Sequence, residues 1–161
     1  MKHVGSLTIT TPSDLEISMT RVFDAPRRLV FDAYTKPELL KRWLGVFGGW
    51  ELAVCEVDLQ MGGRYRYEWR GPGGKEMGMG GVIRELDPPA RIVTTEKFDD
   101  PWYEGEALGT VTFVEQGGKT TLTMTMRYQS KDVRDAVLLS PMEQGLAASL
   151  DKLEELLPAS V

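Results

Sequence analysis

The stretch SKDVRDAVLLSPMEQGLAASLDKLEELL, residues 130–157, is the one long helical pattern in the chain. Leu139, Met142, Leu146, Leu150, Leu153 and Leu157 recur at steps of three and four, which places them on one face of a helix. Ser130 is positioned to cap the start, Asp132 sits near the positive end of the helix dipole, and Pro158 stops the helix. Such a face has to be covered, and nearly everything before it alternates as β-strand. The pattern predicts one long helix laid across a curved antiparallel sheet.

Pro141 interrupts the helix, because it lacks an N–H and its ring clashes with the preceding turn. Ser140-Pro141-Met142-Glu143 also reads as a second start, with Ser as cap and Pro at the first position. The expectation is a short segment over 131–139 and a main segment over 141–157. Gly145 lies inside the main segment, where a glycine weakens a helix by up to about 1 kcal/mol relative to Ala. Two readings of it stand: close packing on the sheet, or room left for a ligand.

Upstream, residues 1–13 read as a polar, loose arm, and 14–161 as a single domain. LEISMTRVF alternates as a half-buried strand, with Arg21 on the apolar side. Two short helices follow. Asp24-Ala25-Pro26 starts the first, and Thr35 with Glu38 has capping-box spacing for the second. Then come WELAVCEVDLQ, RYRYEWR, MGMGGVIREL, ARIVTTEKF, ALGTVTFVE and KTTLTMTMRYQ, separated by Gly- and Pro-rich turns. In the first of these, Ala53, Cys55, Val57 and Leu59 share a face; in the second, Tyr65, Tyr67 and Trp69 do. The glycines between Met77 and Val82 predict bulges or strong bending. The fold class is α+β: a curved antiparallel meander of about six to seven strands with helices segregated from it.

Composition removes several functions. A net charge of −5 argues against general nucleic-acid binding. No apolar run approaches the roughly 20 residues of a membrane helix, and the N-terminus has no signal-peptide core. The single Cys55 cannot form an internal disulfide, so a cytoplasmic location is expected. The single His3 lies in the arm, which leaves no Ser-His-acid relay and no His/Cys metal cluster. No Gly-rich run leads from a strand into a helix, so no phosphate cradle, metal or cofactor is expected.

Four segments carry a resemblance: TRVFDAPRRLVFDAYTKPELLKRWLG, the turn Gly62-Gly63-Arg64-Tyr65, RELDPPARIVTTE, and MEQGLAASLDKLEELL. Together, over about residues 14–157 and in this order, they resemble the proteins similar to the activator of the heat-shock protein 90 ATPase, in the START-like (SRPBCC) superfamily. The resemblance implies the helix-grip, Bet v 1-like fold and, from superfamily relatives, a cavity between sheet and helix. Pro141 departs from that pattern and bears on helix straightness and cavity shape.

The candidate lining comprises Tyr65, Tyr67, Trp69, Met77, Met79, Met124, Met126 and Tyr128 from strands, and Met142, Leu146 and Leu150 from the helix. Aromatics offer a flat apolar body with a polar tip, and methionine adapts to irregular shapes. Arg21 and Glu96 both have inward parity and are expected to pair, as a structural ion pair or as an anchor for a ligand head group. Cys55 reads as an inert core residue. Trp43, Phe47, Trp50, Trp102 and Tyr103 read as core caps, a pocket mouth or a protein-contact patch; Arg64, Arg66 and Arg70 read as a solvent-facing row. Three functions are open. The first is a binding protein for a hydrophobic or aromatic small molecule. The second is a co-chaperone-like protein docking on a heat-shock ATPase, and the third a cyclase- or hydratase-type enzyme, for which no catalytic motif is present. Non-enzymatic binding is favoured, by a monomer or homodimer.

Overall fold

The computed structural model describes residues 6–101, 103 and 105–157, and the backbone of 2–4. Nine strands form one antiparallel sheet: β1 (Lys2–Val4), β2 (Leu7–Thr10), β3 (Glu16–Phe23), β4 (Glu51–Val57), β5 (Arg64–Arg70), β6 (Glu76–Asp87), β7 (Arg91–Phe98), β8 (Ala107–Gln116) and β9 (Lys119–Arg127). Their order is β1-β2-β3-β9-β8-β7-β6-β5-β4. Two short helices, α1 (Arg27–Thr35) and α2 (Pro37–Leu40), leave β3; α3 (Lys131–Leu139) and α4 (Met142–Leu156) end the chain. This is the helix-grip arrangement. No helix among the described residues is long and apolar enough to cross a membrane.

The strands from β3 onward are the expected set, and the two further strands come from the segment read as a loose arm. Ile9 pairs with Met19 of β3, and Leu7 and Ile9 are fully buried. The reason lies in LTIT: its alternation is too short to register as a strand alone, yet its two apolar side chains find the inner face beside β3.

The helical break falls where Pro141 predicts it. Ser130 Oγ accepts a hydrogen bond from Val133 N, as its capping position implies. Leu139 does not join the buried face: it is 89% exposed, while Val137 is fully buried. The turn at Ser140-Pro141 re-aims α4, so the stripe that runs through the break in sequence does not run through it in space. The expected Thr35 cap is also absent. Lys36 stands at the start of α2, and Thr35 donates its hydroxyl to the Phe31 carbonyl at 2.8 Å.

Phe23, Phe31, Trp43, Phe113, Leu122, Leu150 and Leu153 are fully buried, and they close the sheet against α1, α2 and the second half of α4. Trp43 Nε1 donates to the Ala33 carbonyl at 2.8 Å, which satisfies its polar tip inside that core. Two features mark the course of β6. A Cβ at Gly81 would stand 1.9 Å from the Thr95 carbonyl oxygen, so only glycine permits that approach. The register shift itself comes later, between Ile83 and Glu85.

Candidate functional site

The first half of α4 does not close on the sheet. Between them lies a cavity of ≈ 430 Å³. Cross-strand register builds its floor: Trp69 stands opposite Met77, Tyr67 opposite Met79, and Met79 opposite Phe98. Gly109 pairs with both Thr94 and Met126, and a Cβ there would stand 3.0 Å from Met126 Sδ, so its missing side chain makes room for that methionine at the wall. Met124 stands opposite Val111 and Met19. Met142, Gly145, Leu146 and Ser149 of α4 form the roof. A Cβ built on Gly145 would meet only the Phe47 ring, at 3.4 Å, so this glycine faces an aromatic side chain at the mouth rather than a packed strand.

Two hydrogen bonds hold the loop at the mouth. Gly45 N donates to Ser149 Oγ at 3.0 Å, and Trp69 Nε1 donates to the Leu44 carbonyl at 2.9 Å. Phe47 and Trp50, beyond that loop, border the cavity.

Of the residues named from sequence, Tyr65, Tyr67, Trp69, Met77, Met79, Glu96, Met124, Met126, Tyr128, Met142 and Leu146 border the cavity. Leu150 does not; it lies one turn further along α4, fully buried in the core. Arg21 does not either, and it does not pair with Glu96. Its guanidinium reaches α4 instead, donating to Asp151 Oδ1 at 2.6 Å and Glu154 Oε2 at 2.9 Å. Sheet order explains this: β9 and β8 separate β3 from β7, a span of roughly 14 Å at the usual strand spacing. Arg21 thus ties the sheet to the C-terminal helix.

Among the described residues, Glu96 is left as the acid of the cavity. Loss of hydration pushes its carboxyl up from 4.5 to about 7, partly offset by a hydrogen bond from the Tyr103 hydroxyl to Oε1 at 3.3 Å. Tyr34, Tyr65, Tyr67, Tyr103 and Tyr128 are all raised above the ordinary tyrosine value, chiefly by burial and secondarily by neighbouring groups, Glu96 among them. Tyr65 donates to the Thr95 carbonyl at 2.5 Å, and Tyr34 to Met124 Sδ at 3.3 Å. Tyr34 was hidden in the sequence because it belongs to the apolar stripe of α1, and nothing local distinguishes a cavity wall from a core contact. Cys55 is buried and does not border the cavity, and burial pushes its thiol up to about 11, which makes it inert. Arg66 points outward to Asp99 and Glu68. Trp102, Pro158 and the side chain of His3 lie outside the described residues.

The model of the family described as Activator of Hsp90 ATPase homolog 1-like protein matches residues 24–158. Among solved structures, a protein from Rhodobacter sphaeroides is 31% identical, with a TM-score of 0.89 over 96% of this chain and 99% of its own. One from Chromobacterium violaceum is 28% identical, with a TM-score of 0.75 over 92% of this chain and 100% of its own. An AHSA1-like protein from Aeromonas hydrophila, 21% identical with a TM-score of 0.68 over 88% of this chain and 90% of its own, shares the fold. No curated protein matches. With sequence agreement from the first helix through the last and fold agreement over nearly the whole length, the chain belongs to the family of Activator of Hsp90 ATPase homolog 1-like proteins.

Proposed function

We propose that this protein binds an apolar, aromatic small molecule between the sheet and the first half of α4. One observation carries the reading: a cavity of ≈ 430 Å³ walled by aromatic, methionine and aliphatic side chains, with few polar groups among them. That size and lining suit a small organic ligand. The side chains at the wall are also the kind that accommodate one. Tyr67 and Trp69 offer flat faces, their rings 5.8 Å apart and steeply inclined, and Met77, Met79, Met124 and Met126 conform to irregular outlines. A cytoplasmic location is part of the proposal and accords with the lone, buried Cys55.

Regulation of a heat-shock ATPase, the activity in the family's name, would use the outer surface, and it leaves the cavity without a purpose. Titration with the neutral dye Nile red, followed by fluorescence and by native mass spectrometry, tests the binding reading. One saturable site at a ratio of one dye per chain is expected. Absence of saturable binding overturns it.

A further inference from the structure

The wall of the cavity has an unbalanced polar inventory. Among the described residues that border it there is one acid, Glu96, and no lysine, arginine or histidine. Arg21, the cation expected to balance that acid, is committed to Asp151 and Glu154 on α4. One carboxylate oxygen accepts from Tyr103; among the described residues the other has no donor. Two of the surrounding tyrosine hydroxyls are spent elsewhere, on the Thr95 carbonyl and on Met124 sulfur. What faces a ligand at this end is therefore a carboxyl group ringed by aromatic surface. Phe98 meets Tyr103 with centroids 6.1 Å apart, and Tyr103 meets Tyr128 at 5.4 Å.

Resting on the binding reading above, we propose that the ligand is an apolar molecule carrying one protonated amine, received by the Glu96 carboxylate and the neighbouring aromatic faces. An ammonium group satisfies both partners at once. It supplies the donor and the counter-charge that an ionised carboxylate needs in an apolar site. It also gains from ring faces within about 6 Å, where the aromatic quadrupole attracts cations. A carboxylate ligand, such as a fatty acid, meets the opposite situation: a like charge and, among the described residues of the wall, no cation. A neutral aromatic gains only the apolar wall.

Proton linkage gives this arrangement a signature. The tyrosines around Glu96 are all held above their ordinary value and stay neutral, so Glu96 is the group here that changes charge near neutral pH. An ammonium ligand draws the carboxyl into its ionised form and so expels a proton at pH 6. A neutral ligand does not.

Calorimetric titration with naphthylmethylamine, naphthylmethanol and naphthoic acid tests the proposal. At pH 8 the amine is expected to bind at least tenfold tighter than the alcohol, and the acid more weakly than the alcohol. At pH 6, titrations in two buffers of different ionisation enthalpy are expected to show close to one proton released per amine and none per alcohol. Glu96→Gln is expected to remove the preference for the amine over the alcohol and the proton release. The wild-type comparison and the proton count decide the matter even if that variant does not fold. Equal affinity for amine and alcohol overturns the amine proposal and leaves a binding cavity standing. Binding of none of the three overturns both.

Discussion

Gly145 offers the sharpest test of whether the space beneath α4 is real. The residue lies in the opening turns of the helix, with its N–H donated to the Pro141 carbonyl at 3.3 Å. Its backbone is not in the left-handed region, so a side chain introduces no backbone strain. A Cβ there meets only the Phe47 ring at 3.4 Å, and Phe47 is 37% exposed and free to give by a few tenths of an ångström. Gly145→Ala therefore gains helix propensity and loses unfolded-state freedom, a stabilisation of about 0.5–1 kcal/mol this close to the helix start. For a chain of this size that is a rise in melting temperature of about 1–4 °C. Gly145→Phe keeps only part of the propensity gain, because an aromatic side chain loses rotamer freedom in a helix, and it projects a ring into the cavity. The expected result is a folded protein, no less stable than wild type, whose Nile red affinity has dropped at least tenfold. Scanning calorimetry and dye titration read the two effects separately. An Ala variant destabilised by 1 kcal/mol or more would mean that Gly145 is packed against the sheet. A Phe variant that binds dye like wild type would place the dye elsewhere.

Two further outcomes follow from the same geometry. The Glu96 carboxyl is raised from 4.5 to about 7 in the folded chain, so its proton stabilises the native state fully below about pH 4.5, and that contribution is lost as pH rises through about 7. Glu96→Gln has no such loss; its stability relative to wild type in urea melts should grow between pH 5 and pH 8, on the order of 3 kcal/mol at 1.36 kcal/mol for each tenfold change in proton affinity. A difference that does not vary with pH would contradict the burial of this group. At the other end of α4, Asp151→Asn or Glu154→Gln alone should cost no more than about 1 kcal/mol, because each carboxylate is mostly in water. Together they strand a guanidinium that is 2% exposed and should cost about 3–5 kcal/mol, with Nile red affinity unchanged; additivity of the two single effects would argue against a shared clamp.

The sequence by itself determined whatever repeats over a few residues. Period-two alternation put Tyr65, Tyr67 and Trp69 on one face and Glu96 on the inner side of its strand, and the missing N–H of Pro141 set the break between α3 and α4. Those constraints act between neighbours along the chain, so they are legible without coordinates. Only the tertiary structure decided what depends on which strands lie side by side. Arg21 and Glu96 share inward parity, but two intervening strands hold them apart, and the partners of Arg21 come from α4 instead. The same holds for Leu7 and Ile9, which are buried because β3 offers them an edge, and for Tyr34, an apolar-stripe residue that becomes a cavity wall because α4 lifts off the sheet above it. Periodicity says which way a side chain points; what it meets there is set by chain segments far away in sequence.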